Sequence, residues 1–220
     1  MVAAGAGVVA GAVARCAAGA LVTVEEGPIG DPPYAPSPAE FERMRTAVPK
    51  RRREFYTGRH LATVACARLG LARPELSPDE RGTPRWPPGM VGSITHCDSW
   101  AAAAVAALPT VAALGVDVEP AEPLPAGLDT VVGGPREREW LADLPAALCP
   151  DRLLFCAKEA VFKAWYPLTL QWLDFEDVEV RLGYDGTWVA RGGRGETHLD
   201  WVGAWSAVGG LVAAALVVPG

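Results

Sequence analysis

The chain has 220 residues, half of them hydrophobic, and a formal net charge of −6. This length is enough for one sizeable domain or two small ones. The acidic balance argues against a general nucleic-acid-binding protein, because such proteins usually carry a basic surplus.

The cysteines and the N-terminus bear on the cellular compartment. Five cysteines, an odd number without CxxC spacing, argue against a disulfide framework or a zinc site and favour a reducing cytoplasm. The Ala/Gly-rich start lacks a basic n-region, and Arg15 interrupts its apolar run, so we expect neither a signal peptide nor a membrane span. We expect instead a ragged N-terminus that leads into a first strand near residues 20–25.

The first half continues with loops and helices. A Pro-rich loop lies within residues 27–45, and Ser37-Pro38 is typical of a helix start. Apolar residues near helical spacing predict an amphipathic helix over 48–69, with Gly70 as its C-cap. We predict a second Pro-rich loop over residues 72–89.

The alanine-rich segment that follows has two possible interpretations. Propensity alone predicts a helix over the run of alanines after Trp100. Pro109 interrupts this run, however, and the alternation in "GVDVEP" is typical of a strand. We therefore predict three strands, over 91–96, 100–107 and 113–119.

The second half is predicted to contain two helices and four strands. After a linker at 120–135, the predicted helices span 136–143 and about 150–166. The predicted strands span 175–182, 187–191, 198–205 and 211–218. Each half could then hold a helix packed on antiparallel strands, an α/β (α+β) class.

Asp117 and Glu119 are the first candidates for chemistry. Residues i and i+2 of a strand project from the same face, so these carboxylates stand side by side and repel each other unless a cation or water intervenes. Oxygen ligands favour a hard cation such as Mg²⁺. A strand end that faces solvent is the alternative.

The second set lies in the apolar helix "LLFCAKEAVFKAW". Glu159 and Lys163 are one turn apart, which fits either an ordinary exposed ion pair or a cleft that holds metal and phosphate. Their apolar neighbours favour the cleft. Lys158 points about 100° away from Glu159 and could reach another part of the same ligand.

Basic residues and histidines form the third set. Thr95 and His96 end a predicted strand, where they could meet a phosphate, although a lone histidine is as often structural. Arg51 and Arg59, eight residues apart, lie near one helix face and could grip a phosphate. Arg81 could contribute from the next loop.

Together these segments resemble a known family. The chain contains, in order, "KRRREF", "GRH", "PRWPPGMVGSITHC", "GVDVEP" and "FCAKEAVFKAWYPLTLQWLDFED". This series resembles the 4′-phosphopantetheinyl transferases of the Sfp-like type, specifically the enterobactin synthetase component D-like, actinobacterial-looking branch. The resemblance covers roughly residues 48–205.

The resemblance implies a monomeric pseudo-dimer of two similar subdomains, each with a helix on a mostly antiparallel sheet. We expect these subdomains at 1–112, which grips the 3′-phosphate of the nucleotide, and 113–220, which carries the metal-binding carboxylates. Coenzyme A would be the substrate, with Mg²⁺, or Mn²⁺ in its place, as the cofactor. The partner would be an apo acyl or peptidyl carrier protein; neither nucleic acid nor membrane is expected.

The resemblance also implies roles for individual residues. The metal would be held by Asp117, Glu119 and Glu159. The phosphates would be contacted by Lys158 and Lys163, and the 3′-phosphate end by Arg51, Arg59, His60, Arg81, Thr95 and His96. Glu159 and Lys163 would be catalytic, with Glu159 taking the serine proton directly or through a metal-bound water.

Two alternatives stay open at this point. One is a different Mg²⁺-dependent nucleotide or pyrophosphate transferase on the same scaffold. The other is an inactive relative that binds nucleotide or carrier. The complete set of carboxylates and lysines argues against this second alternative.

Overall fold

Two antiparallel sheets and the helices packed on them make up the computed structural model, which describes residues 7–71, 76, 79 and 83–220. The helices are α1 (Val8–Cys16), α2 (Pro38–Met44), α3 (Pro49–Arg68), α4 (Leu128–Val132), α5 (Pro135–Ala142) and α6 (Pro150–Thr169). The strands are β1 (Val22–Pro28), β2 (Met90–His96), β3 (Trp100–Ala107), β4 (Val111–Pro120), β5 (Val178–Leu182), β6 (Thr187–Arg194), β7 (Thr197–Val208) and β8 (Leu211–Pro219). The strand orders are β1-β3-β2 and β4-β8-β7-β6-β5. The predicted fold class is confirmed.

The alanine-rich segment forms strands, as the interruption at Pro109 predicted. Strand β3 is buried on both faces: Ala102 and Ala104 contact the core under α1, while Ala103 and Val105 contact α3. Small side chains let helix and sheet approach closely on each side. Burial therefore overrides the helical propensity of alanine here.

The expectation of a ragged N-terminus is wrong for residues 8–16, which form helix α1, while residues 1–6 lie outside the described residues. Val9 and Val13 are fully buried against β7 and β8. The carboxylate of Glu26 accepts hydrogen bonds from the backbone N–H groups of Val9 (3.2 Å) and Ala10 (2.8 Å), which would otherwise lack partners at the helix start. This cap comes from β1, so the local sequence does not announce it.

Helix α1 also bears on the expected division at residue 112. It belongs to the first segment of the chain but packs on the five-stranded sheet of the second. The division into 1–112 and 113–220 stays a prediction. Within the described ranges, none of the helices is both long and apolar enough to cross a membrane, and the five cysteines are free thiols.

The two sheets meet along β2 and β4 through side chains rather than a backbone ladder. Ser93 Oγ accepts from the N–H of Val116 (3.1 Å), and Thr95 Oγ1 accepts from the N–H of Val118 (3.2 Å). These N–H groups lie on the edge of β4 that faces away from β8, where they need partners. The two hydroxyls thus join the sheets next to Asp117.

Helix α6 packs on β4 at Gly115. A Cβ atom on this residue would lie 1.9 Å from the carbonyl oxygen of Ala160, so only glycine permits the approach. The helix continues to Thr169, past the predicted end near residue 166, and includes Pro167 in its last turn. The close contact at Gly115 sets the distance between α6 and the carboxylates of β4.

We expect Gly115→Ala to destabilise the protein by about 3 kcal/mol, because the added methyl group forces α6 away from β4. Chemical denaturation measures this change. Gly27→Ala is the matched control, since a Cβ there has nothing within 4 Å. Equal midpoints for the two variants would contradict the close-contact argument.

Candidate functional site

Asp117 lies at the centre of the site. Its Oδ1 accepts hydrogen bonds from Thr95 Oγ1 (2.8 Å) and Lys163 Nζ (2.7 Å). Its Oδ2 is buried and has no hydrogen-bond partner of normal geometry in the described part of the chain. The thiol of Cys156, a weak donor, lies beside the carboxylate, and burial followed by this negative charge raises the pKa of the thiol. One oxygen of Asp117 is therefore tightly held while the other lacks a strong partner.

Lys163 and Glu159 reach this centre from one face of α6. Lys163 Nζ also donates to the carbonyl of Val116 (3.1 Å). Burial lowers the pKa of Lys163, but the charge and hydrogen bond of Asp117, together with the charge of Glu159, raise it above its ordinary value, so the ammonium stays charged. Burial, opposed by Lys163 and reinforced by Asp117, raises the pKa of the half-buried Glu159. The structure thus brings together Asp117, Glu159, Lys163 and Thr95.

Glu119 lies one pleat further along β4 and contacts a residue that the sequence did not single out. Its Oε2 accepts from Arg152 Nη1 at 3.1 Å. Burial and the neighbouring Asp117 raise the pKa of Glu119 to about 7, despite the opposing effect of Arg152. A carboxylate pair with this repulsion favours a cation.

His96 and Arg51 form a second cluster at the end of β2. Arg51 Nη1 lies 2.6 Å from His96 Nε2, and since a guanidinium can only donate, Nε2 accepts and the imidazole is neutral. Burial and Arg51 lower the pKa of His96 accordingly. Glu54 accepts from Arg51 (3.3 Å) and lies 3.9 Å from His96 Nδ1. The charges of Lys163 and Asp117 also act on His96, so the two clusters adjoin.

Arg59 lies apart from Arg51, although both are on α3. It is 3% exposed and pairs with Glu40 at 3.3 Å, while Tyr34 donates to the same carboxylate. Its Nη1 is buried and lacks a hydrogen-bond partner in the described ranges. His60 is half-buried and forms no hydrogen bond with the other described site residues. Arg81 lies outside the described residues, so the grip assigned to Arg59, His60 and Arg81 stays a prediction.

Lys158 lies on another face of α6, and its ammonium is hydrogen-bonded in the protein interior. Its Nζ donates to Glu137 Oε2 and to the carbonyl of Phe175, both at 2.8 Å. Glu137 also accepts from the N–H groups of Gly134 and Val180 at 2.8 Å, so both of its oxygens are used. In this structure Lys158 therefore has a structural role, and its contact with a phosphate stays a prediction.

The carboxylates of the site provide only part of the geometry that a metal ion requires. Among the described residues, no three His, Cys, Asp or Glu side chains lie close enough together to hold an ion. Asp117, Glu119 and Glu159 are thus not assembled as a ligand set here. The buried, unpaired Oδ2 of Asp117 and the oxygen-only donor set nevertheless fit a hard cation such as Mg²⁺, so the predicted metal site stays a prediction.

An apolar cavity of about 240 Å³ opens beside Glu159. Its walls include Phe162, Trp172, Leu173 and Phe175, and Phe162 and Trp172 pack edge to face with centroids 4.9 Å apart. The cavity could hold an uncharged chain next to the carboxylate.

Arg152 and Glu137 are the main site-related residues that the sequence reasoning missed. Arg152 precedes Glu159 by seven residues, a spacing that places both on one helix face, so a signal was available. No comparable signal links Glu137 to Lys158, which are brought together only by the packing of α5 on α6.

Comparison with known proteins identifies the class to which this arrangement of two sheets beside a carboxylate–lysine centre belongs. The family model "4′-phosphopantetheinyl transferase N-terminal domain" matches residues 39–106, and "4′-phosphopantetheinyl transferase superfamily" matches residues 113–216. The chain belongs to the 4′-phosphopantetheinyl transferase superfamily and is a transferase of that class.

Curated relatives agree with this assignment. The chain is 48% identical over 202 residues to 4′-phosphopantetheinyl transferase Svp of Streptomyces mobaraensis, covering 86% of this chain and 80% of that protein. It is 41% identical over 203 residues to 4′-phosphopantetheinyl transferase PptT of Mycobacterium tuberculosis, covering 86% and 88%. Enterobactin synthase component D of Salmonella typhi is 35% identical over 133 residues, covering 56% and 52%.

We expect the stability of the metal-free protein to fall relative to that of Glu119→Gln as pH rises from 4.5 to about 7. The folded-state pKa of Glu119 is raised, so its contribution to stability is present below the ordinary pKa and is lost as the folded-state pKa is passed. Denaturation curves at several pH values in chelator measure the difference. Glu122→Gln, at an exposed position, should not reproduce it. A pH-independent difference would refute the predicted effect of Glu119.

We also expect Glu137→Ala to lower the free energy of unfolding by about 3–5 kcal/mol, because it leaves Lys158 buried without its carboxylate and two N–H groups without an acceptor. Glu139→Ala, an exposed position on the same helix, should change stability little. A comparably small loss for Glu137→Ala would show that the buried pair contributes little.

Proposed function

We propose that the protein transfers the 4′-phosphopantetheine group of coenzyme A to a serine of an apo acyl or peptidyl carrier protein. In this reaction the serine oxygen forms a bond to the β-phosphorus, and the bond from that phosphorus to the bridging oxygen breaks to release adenosine 3′,5′-bisphosphate. The observation that carries the proposal is the Asp117–Lys163–Thr95 centre, which leaves one buried carboxylate oxygen without a strong partner.

Lys163 is suited to bind a phosphate oxygen while it holds Asp117. An ammonium has three N–H donors, and two of them are used on Asp117 and on the carbonyl of Val116. The side chain is 25% exposed, so the third donor can face a ligand. A fixed positive charge at this place stabilises negative charge that develops on the pyrophosphate.

Arg51 and His96 would hold the nucleotide end. The Arg51 side chain is 47% exposed, and its guanidinium has donors beyond those used on His96 and Glu54. The adjoining clusters would then contact two separate phosphate groups of one ligand.

Asp117, Glu119 and Glu159 would hold Mg²⁺, or Mn²⁺ in its place. When bound, this ion would neutralise charge on the pyrophosphate oxygens and help to align them. The chain's own contribution is to keep Asp117 in position through Thr95 and Lys163 before the ion binds.

Glu159 is the candidate base for the serine proton, directly or through a water molecule. Burial raises its pKa, which brings a carboxylate closer to the range in which a base is effective. The cavity beside it would receive the largely uncharged pantetheine chain against Phe162 and Trp172.

The proposal also includes a partner, an oligomeric state and a cellular location. The partner would be a carrier protein, as the two names "4′-phosphopantetheinyl transferase" and "Enterobactin synthase component D" among the relatives suggest. One chain contributes both the nucleotide cluster and the carboxylates, so a monomer would suffice. The free cysteines are compatible with the proposed cytoplasmic location.

The test is an intact-mass assay with coenzyme A, Mg²⁺ and apo carrier proteins of fatty-acid, polyketide and nonribosomal-peptide origin. We expect the carrier to gain the mass of one phosphopantetheine group, and Glu159→Gln to reduce the rate at least about 100-fold, since it removes the proposed base. Glu176→Gln, an exposed position, is the matched control.

Two outcomes contradict the proposal at different levels. No mass gain on any carrier with the wild type would refute phosphopantetheinyl transfer to these substrates. Full activity in folded Glu159→Gln would remove Glu159 from the base and metal roles but leave the transfer itself intact.

A further inference from the structure

Arg152 is held by three hydrogen bonds to three different acceptors. Nη1 donates to Glu119 Oε2 (3.1 Å), Nε to the carbonyl of Glu122 (2.9 Å) and Nη2 to the carbonyl of Pro123 (3.0 Å). Two of the three acceptors are main-chain carbonyls just after β4. The guanidinium would therefore keep two anchors if it released Glu119.

Arg152 and Lys163 act on the carboxylate pair in matching ways. They are 11 residues apart, close to three helical turns, so both lie on the face of α6 that meets β4. Lys163 holds Asp117 through Oδ1, and Arg152 holds Glu119 through Oε2. Each carboxylate thus has one oxygen bound to a basic side chain of the same helix.

The two basic residues differ in how readily a bound cation could take their place at the carboxylates. Lys163 is a structural part of the centre, because its ammonium also bonds the edge of β4 at Val116. Arg152 gives the carboxylate pair one bond and has its two other anchors on main-chain carbonyls beyond the pair, so its bond to Glu119 can break separately. Its Coulomb attraction opposes the repulsion between Asp117 and Glu119. A divalent cation bound by the same pair would supply that attraction in its place and would be repelled by the guanidinium.

We propose that Arg152 is the internal counter-ion of Glu119 in the metal-free protein and that it competes with a divalent cation for this carboxylate. The inference rests on the proposed function in one respect, the assignment of a cation to Asp117 and Glu119. Arg152 stabilises the empty carboxylate pair and thereby weakens cation binding. It acts through Glu119 and is a positioning residue.

The test compares thermal unfolding of the full chain with chelator and with increasing Mg²⁺ or Mn²⁺, without coenzyme A or carrier, in buffer alkaline enough to ionise Glu119. We expect Arg152→Gln to melt about 4 °C lower than the wild type in chelator. We expect its apparent affinity for the cation to be about fivefold tighter, the effect of removing one nearby repulsive charge. If Arg152 had a purely structural role, the variant would melt lower by the same amount in chelator and with cation, and its affinity for the cation would be unchanged.

Further variants test whether the effect of Arg152 depends on the carboxylate of Glu119. Arg152→Gln combined with Glu119→Gln should recover the part of the stability in chelator that the unpaired Glu119 costs, and should lose the gain in affinity. Arg191→Gln, which breaks the exposed pair with Asp200, should behave as the wild type. Arg152→Lys, which keeps the charge but not the three-way geometry, should have an intermediate affinity and serves if Arg152→Gln does not fold.

The inference is overturned if Arg152→Gln binds the cation no more tightly than the wild type does. If only Arg152→Lys folds, the same comparison is made with that variant. The inference is also overturned if neither Mg²⁺ nor Mn²⁺ changes the melting temperature of the wild type or of any variant. Transfer activity of the wild type is measured in parallel. Transfer without the shift in affinity refutes the inference alone, whereas the shift without transfer refutes the proposed function alone.

Discussion

The contact between α6 and β4 at Gly115 is the constraint on which the site depends. Without a side chain at this position, the backbone of α6 lies against the strand at Ala160. Lys163, three residues further along α6, then reaches Asp117 at 2.7 Å. A helix held further away by even one methyl group would separate the ammonium from the carboxylate, and the buried charge of Asp117 would lose its main partner.

Charges on several sides of one apolar helix are stabilised by different means. Lys158 lies in the interior, where Glu137 and the carbonyl of Phe175 satisfy it. Lys163 and Arg152 lie on the face that meets β4, where they hold carboxylates and remain partly exposed. The interior pair orders α5 against α6, whereas Glu119, Arg152 and Lys163 keep part of their side-chain surface exposed. Lysine thus bonds a carboxylate of the interior at position 158 and a carboxylate of the candidate site at position 163.

Much of the fold could be predicted because its signals are local. The capping box at Ser37, the alternation in β4 and the prolines that end elements are readable in short windows. Helix α1 could not be predicted in this way, since its cap is the carboxylate of Glu26, brought to the helix start by β1. Its stability comes from packing on a sheet built at the other end of the chain.

The same distinction applies to the candidate site. Asp117, Glu159 and Lys163 follow strand and helix periods, so their convergence was predictable once both elements were assigned. Lys158 and Arg59 were expected to face a ligand, yet their partners Glu137 and Glu40 come from elements whose packing no period reveals. Periodicity gives the direction of a side chain relative to its own element, but not which neighbour occupies that direction.

The junction of the two sheets connects the parts of the site. Thr95 bonds both Asp117 and the backbone of β4, and the next residue on β2, His96, bonds Arg51 of α3. A single strand therefore fixes the separation between the cluster of arginine and histidine and the carboxylates. Since β2 and β4 are joined by side-chain hydroxyls and not by a backbone ladder, this separation depends on two short polar residues, Ser93 and Thr95. If the proposed ligand binds across both clusters, this separation would set the spacing of phosphate groups that the site accepts.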